Sequence, residues 1–479
     1  MTLGFGVMAP AMFVGLIAFL LIGYPVAFSL AACGLFFGGL GILLGFFEPS
    51  FLQAIPLRLF GGVMSNELLL AIPFFTLMGA VLEKSRLAED MLEAFGQLFG
   101  PVRGGLAYAV IFVGAVLGAI TGTVAASVIA MGMIALPVMA RYRYDPRITT
   151  GVIAASGTIT QLIPPALVLI VLADQLDRPV REMYAGAIGP SIVQVGIFCL
   201  FILAVSIFAP HKVPALPPEA RTLRGWALVL LLLRGLVPSL GLIFVVLGTI
   251  LMGVATPTES GAMGVVGAMI LAALNRRLDR PMLWGALVVT TRITTMVIFI
   301  LVGSTVFSLV FQGFGGSEWI HSILAYLPGG QLGFLIFVNV LVFLLAFFLD
   351  FFEIAFIVLP LLAPVAEALG IDMVWFGVLL AANMQTSFMH PPFGFALFYL
   401  RSIAPPSVKT SDIYLGAIPW VGLQLILVVL IIAFPEIVTA FMPGETGVDP
   451  AGVKIDLPSI DFGTGGGEIG APPSFGPPP

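Results

Sequence analysis

The sequence predicts an all-α polytopic membrane protein with two inverted structural repeats, each holding a re-entrant helical hairpin and a broken transmembrane helix. Three observations predict it. Hydrophobic residues make up 59% of the 479-residue chain and charged residues 9%, where a soluble domain carries about 25% charged. Two apolar runs, each long enough for the roughly 20 residues a spanning helix needs, are interrupted at their centres by polar residues followed by Pro-Pro. The interruptions also recur at matching distances from other residues, so the two halves read as one unit used twice.

The clearer interruption is "MQTSFMHPPFG" (384–394), inside the apolar run 373–400. Asn383, Gln385, Thr386, Ser387 and His390 lie ahead of Pro391 and Pro392. A proline lacks an N–H and its ring blocks a carbonyl one turn earlier, so the pair frees backbone acceptors at membrane depth. Free backbone is tolerated there only where it is buried in protein or lines a cavity, and in transporters that place is the ion or substrate site. The run 148–172 repeats the design, with Ser156, Gly157, Thr158, Thr160 and Gln161 ahead of Pro164 and Pro165. Asp145 lies 19 residues before Pro164 and Asp372 lies 19 before Pro391; Ser127 lies 10 before Pro137 and Asp350 lies 10 before Pro360. The last two matches leave a four-residue difference between Pro137–Asp145 and Pro360–Asp372.

Residues 1–103 read as N-terminal spans and an amphipathic helix, a scaffold. The first 23 residues lack the basic start of a cleavable signal and are expected to stay as the first span. Residues 5–47 divide into two spans near Tyr24 and Pro25, and 67–82 open a third. Between Glu83 and Gly105, Leu87, Met91, Leu92, Phe95 and Leu98 fall at helical spacing among charges, which predicts an amphipathic helix lying at the interface.

The first repeat core is 104–210. Its run 104–140 is too long for one span and is broken by "GAITGTVAAS", where Gly118, Thr121, Gly122, Thr123 and Ser127 lie; small residues at such a tip let backbone approach a ligand. Cations flank both ends, Lys84, Arg86 and Arg103 before and Arg141, Arg143 and Arg147 after, which places both ends on the cytoplasmic side and makes the run a hairpin. The broken helix 148–172 and the span 185–209 follow. Residues 211–330 are linking spans and amphipathic helices, with spans at 235–253, 260–274 and 284–311.

The second repeat core, 331–441, has its hairpin at 331–366, flanked by Glu318, Glu367 and Asp372 without Lys or Arg, so it opens to the other face. The broken helix 373–400 and a last span at 413–434 close it. Residues 442–479, rich in Gly and Pro, read as a disordered tail.

Asp350 and Glu353 are the only acids inside the second hairpin. A charge at the bilayer centre costs about 2.5–3.5 kcal/mol on insertion scales, so they serve either an ion or substrate site or a structural pairing at the tip. The Ser, Thr, Asn and Gln residues of the broken runs are singly interhelical glue; clustered beside Pro-Pro in both copies they favour oxygen ligands for a hard cation such as Na⁺. His390 either shuttles protons, hydrogen-bonds an anion, or is a satisfied buried histidine. Arg292 and Arg401 read as interfacial anchors, and Cys33 and Cys199 as buried hydrophobes without metal-like spacing. A net charge of −5 without a basic patch points to no nucleic acid partner.

"YDPRITTGVIAASGTITQLIPPALVLIVLADQ", "GAITGTVAASVIAMGMIALPVM", "FFLDFFEIAFIVLPLLAPVAEALGID" and "WFGVLLAANMQTSFMHPPFGFALFYLRSIAPP" resemble the large membrane subunit of tripartite ATP-independent periplasmic (TRAP) transporters. The resemblance implies an elevator-type, Na⁺-coupled importer in the bacterial inner membrane. It would take an organic acid from a soluble periplasmic binding protein and work with a small four-helix membrane subunit, here a separate chain. Na⁺ would be the coupling ion, with no organic cofactor. Carried over, the ion and substrate sites are Gly118 to Ser127 and Ser156 to Pro165, then Asp350 and Asn383 to Pro392; many members have Asp where this chain has Ser127. "QTSFMHPPFGFALFYLR" most resembles the branch linked with 2-oxo acids and other monocarboxylates. No "GxxxxGK[ST]" is present. The alternatives weighed are a membrane-embedded enzyme with Mg²⁺ on Asp350 and Glu353, against which stands the lack of a second acidic cluster, and a channel.

Overall fold

Asp145 and Asp372 open the two broken helices by the same device. The Asp145 carboxylate accepts the Arg147 N–H (2.8 Å) and caps Pro146–Thr158; the Asp372 carboxylate accepts the Trp375 N–H (2.7 Å) and caps Met373–Met384. Such caps satisfy donors that the first helical turn leaves free. The computed structural model in which this is seen describes residues 2–442 apart from 86, 222, 224, 326, 327, 392 and 393. Arg86, Arg224, Pro392 and the tail from 443 onward therefore lie outside the described residues, as does the side chain of Thr121.

The described residues are helical throughout, and eight helices among them are long and apolar enough to cross a membrane, or nine if a bent pair counts as one. The first hairpin is Gly105–Thr121 and Val124–Arg141, joined at Gly122, whose φ of 61° suits glycine. The second is Gly330–Leu345 followed, after a short turn, by Phe351–Glu353, a π-helical stretch Ile354–Val358 and Leu359–Ala368. Pro360 supplies no N–H to the Phe356 carbonyl one turn back. Ser304 Oγ donates to that carbonyl instead, at 3.1 Å.

Helix caps correct the register of the repeat. Thr123 is the N-cap after the first hairpin's break and Asp350 the N-cap after the second's. Asp350, Asp372 and Pro391 each stand 227 residues after Thr123, Asp145 and Pro164. The partner of Asp350 is thus Thr123 and not Ser127, which is buried in the following turn, and the four-residue difference disappears. Matching Pro137 with Pro360 misled because the two sit at different points: Pro137 is inside a continuous helix, whereas Pro360 opens one after the π-helical stretch.

Two other expectations change. The helix Leu87–Phe99 does not lie free at an interface: Met91 and Phe95 are buried beneath Trp226–Leu251 and the first hairpin, and Leu98 is 42% exposed. The third span is preceded by helical residues 49–64, which meet Glu67–Lys84 at a 50° bend where Asn66 caps the new turn.

Buried apolar residues form two clusters. One contains most of the first hairpin's core, the first half of the first broken helix (Val152 to Ile159) and the second half of the second (Met389 to Leu400). The other contains the second hairpin, the first half of the second broken helix (Met373 to Met384) and the second half of the first (Leu162 to Leu176), with the scaffold helices packed on it. Each broken helix passes from one cluster to the other at its break, so both breaks lie on the seam.

Candidate ion and substrate site

The first break runs from Thr158 through the 3-10 turn Ile159–Gln161 to a new helix at Leu167. Two of its hydroxyls fold back on the chain: Thr158 Oγ1 donates to the Ala155 carbonyl and Thr160 Oγ1 to that of Gly157, both at 2.9 Å. Ser156 Oγ and Gln161 Oε1 are buried without a hydrogen-bond partner. The hairpin closes on this segment through its glycines. A Cβ added to Gly114 would stand 2.6 Å from Ser156 Cβ, and one added to Gly118 3.0 Å from Thr160 Cα. Gly157 packs on Val128 of the hairpin's second helix.

The second break follows the same plan. Met373–Met384 gives way to the 3-10 turn Gln385–Met389, and a new helix begins at Phe395. Asn383 Nδ2 donates to the backbone carbonyl (2.8 Å) and to Oδ1 (2.9 Å) of Asn339 on the second hairpin. Asn383 Oδ1, Thr386 Oγ1 and Ser387 Oγ are buried and unpartnered. His390, 1% exposed, stacks on Phe347 (ring centroids 4.2 Å, 16°) and meets Phe343 edge-on (4.4 Å, 78°), and neither ring nitrogen makes a well-formed hydrogen bond. Pro391 is half-buried.

Asp350 and Glu353 form a capping box at the second hairpin's tip. The Asp350 N–H donates to Glu353 Oε2 and the Glu353 N–H to Asp350 Oδ1, each at 2.9 Å. Glu353 is buried and Asp350 half-buried, with Tyr399 within electrostatic reach. The structural pairing considered from sequence is thus present in the geometry. Arg401 donates to the Val408 carbonyl (2.9 Å) and closes the loop after the second broken helix; Arg292 is exposed.

The two breaks meet. Thr158 Oγ1 lies 3.6 Å from Met389 Sδ, and Gln424 Nε2 donates to Thr158 Oγ1 at 2.9 Å. Gln385 in turn pairs with Gln194. Sequence reading missed Gln194, Gln424, Asn339, Phe343 and Phe347. The signal for the two glutamines was available: each is a lone amide within a long apolar helix, and they are 230 residues apart, close to the repeat offset. Thr123 is half-buried and Ser127 buried at the first tip.

Hydroxyl and amide oxygens that lack partners, gathered where two helices break inside apolar surroundings, are hard-ion ligands by their chemistry. Repeats with paired hairpins and broken helices define a multi-pass transporter of the secondary type. Residues 13–437 match the family described as tripartite ATP-independent periplasmic transporter, DctM component, and the chain belongs to that family. It is a transporter component and not an enzyme.

Among its relatives, the C4-dicarboxylate TRAP transporter large permease protein DctM of Pseudomonas aeruginosa is 29% identical over 86% of this chain and 93% of its own length. The 2,3-diketo-L-gulonate TRAP transporter large permease protein YiaN of Escherichia coli is 25% identical over 90% and 98%. The crystal structure of the Alcanivorax borkumensis YdaH transporter, described as having an unusual topology, shares the fold, with a TM-score of 0.60 over 83% of this chain and 91% of that one at 15% identity.

Proposed function

We propose that this chain is the membrane-embedded permease that imports an organic acid across the bacterial inner membrane, driven by a Na⁺ gradient, with substrate delivered by a periplasmic binding protein and a small four-helix subunit at its side. The observation that carries the ion assignment is the set of five buried, unpartnered oxygens on Ser156, Gln161, Asn383, Thr386 and Ser387, which sit at corresponding breaks of the two repeats. Each charge moved down 100 mV supplies about 2.3 kcal/mol, so two or more Na⁺ per substrate would drive accumulation without ATP. His390, held between two phenylalanines at the same break, supplies an N–H for the acid's carboxylate. The substrate class rests on the named substrates of relatives and on the resemblance of the 385–401 segment to the 2-oxo acid branch. In this reading the two repeat cores, 104–210 and 331–441, move as an elevator against a scaffold formed by 1–103 and 211–330.

Uptake into proteoliposomes should require inward Na⁺, the small subunit and a liganded binding protein together. Equal uptake from Na⁺-free medium under a proton gradient would remove Na⁺ from the mechanism.

A further inference from the structure

Gln194 and Gln424 lie within the long apolar helices Val180–Phe208 and Thr410–Ala433, and both are fully buried. A buried amide costs free energy unless it is hydrogen-bonded. Each of these finds its partner in the 3-10 turn of the opposite repeat. Gln194, in the first repeat, exchanges two hydrogen bonds with Gln385 of the second, Nε2 to Oε1 at 2.9 Å and the reverse at 3.0 Å. Gln424, in the second repeat, donates to Thr158 of the first at 2.9 Å. Gln385 stands 227 residues after Thr158. The contacts are therefore one contact made in both directions, as a two-fold relation between the repeats requires.

Each bridging helix also touches the other break. Ser191, one turn before Gln194, donates to the Leu162 carbonyl in the first break at 3.1 Å. Gln424 Nε2 is 3.7 Å from Met389 Sδ in the second. Thr158 lies between Ser156 and Gln161, and Gln385 between Asn383 and Thr386, so the bridges grip the turns that carry the unpartnered oxygens. A cation that draws Asn383, Thr386 and Ser387 together pulls on Gln385, hence on Gln194 and Ser191, hence on the first break.

We infer that Gln194 and Gln424 are positioning residues that couple the ion-binding turns of the two repeats, so that a cation held at one break favours binding at the other. The inference rests on the Na⁺ reading above. Coupling of this kind is a free energy shared between sites and is reciprocal.

The test is equilibrium binding of radioactive Na⁺ to the purified full-length chain, with choline replacing Na⁺ at constant ionic strength. The parent should bind sigmoidally. Gln194→Leu should bind as many ions, with a Hill coefficient reduced to about 1, the value for uncoupled sites. Gln194→Asn, one methylene short of its partner, should do the same if the leucine variant does not fold. Gln385→Thr recreates the Gln–Thr bridge of the other repeat and should keep the sigmoidal curve, which a loss of packing alone would not discriminate. A parent that binds hyperbolically, a Gln194 variant as sigmoidal as the parent, or a Gln385→Thr curve as flat as that of Gln194→Leu overturns the coupling. A parent that binds no Na⁺ overturns the ion assignment itself.

Discussion

Asp350 and Glu353 satisfy each other's backbone, carboxylate to N–H at 2.9 Å in both directions, so the only acids of the second hairpin build its tip whatever else they do. Asparagine caps a helix about as well as aspartate, whereas alanine costs about 1 kcal/mol. Asp350→Asn should therefore keep the parent's thermal stability, and Asp350→Ala should lose about that amount. Transport separates structure from chemistry: if the negative charge is used, both variants should lose at least about tenfold in initial rate, equivalent to ~1.4 kcal/mol. Parental uptake by Asp350→Asn would leave the carboxylate a cap and nothing more.

Gly114 and Gly118 set how closely the first hairpin approaches the first break. An added Cβ at Gly114 meets Ser156 Cβ at 2.6 Å and its carbonyl oxygen at 2.8 Å. Neither is the end of a flexible chain, so Gly114→Ala should wedge hairpin and break apart at about 1–3 kcal/mol, the usual cost of overpacking. Gly118→Ala, whose nearest atom is Thr160 Cα at 3.0 Å, should cost less. Thermal unfolding of both in detergent checks the order, and equal stability of the two would show that the interface relaxes freely.

Much of this arrangement was legible in the sequence, because bilayer physics leaves few ways to place polar residues and paired prolines mid-span. Both breaks, both hairpins and the repeat could be read from Ser156 to Pro165, Asn383 to Pro391 and the interruption after Gly118. The register could not be fixed from prolines, because Pro137 is accommodated within a helix while Pro360 needs a π-helical stretch before it. What joins the repeats was also out of reach. Gln194 and Gln385 are 191 residues apart, and only the fold reveals that a lone amide in one repeat answers an amide in the other. The phenylalanines around His390 were hidden for a different reason: in a chain with 40 Phe, two more in an apolar run carry no signal.

The proline pairs give a third prediction. Pro391 removes the N–H that would meet the Ser387 carbonyl one turn back, and Pro164 does the same for Thr160. Restoring donors with Pro391→Ala and Pro164→Ala gives those carbonyls a backbone partner in place of a cation. A proline in a helix interior costs up to about 3 kcal/mol, so the variants should be no less stable than the parent. They should need more Na⁺ for half-maximal uptake. Because a second proline follows each, the double replacements at 164–165 and 391–392 should shift further, and unchanged Na⁺ dependence in both doubles would mean that the cations are held elsewhere.

The sharpest test sets stability against transport at the unpartnered atoms. A buried polar group without a hydrogen bond costs about 1–3 kcal/mol, and Ser156 Oγ, Thr386 Oγ1 and both ring nitrogens of His390 are such groups. Ser156→Ala and Thr386→Val delete the oxygen with little change of shape, and His390→Phe keeps an aromatic ring against Phe343 and Phe347. Each variant should unfold at a temperature equal to or above the parent's in Na⁺-free buffer, since a cost is removed. Each should also lose the extra stability that Na⁺ or substrate gives the parent, with Ser156→Ala and Thr386→Val losing the response to Na⁺ and His390→Phe the response to the acid. Uptake should fall in all three. Lower stability without Na⁺ would mean that these atoms have partners within the protein or in ordered water, and full uptake would mean that the atoms do not face the transported species.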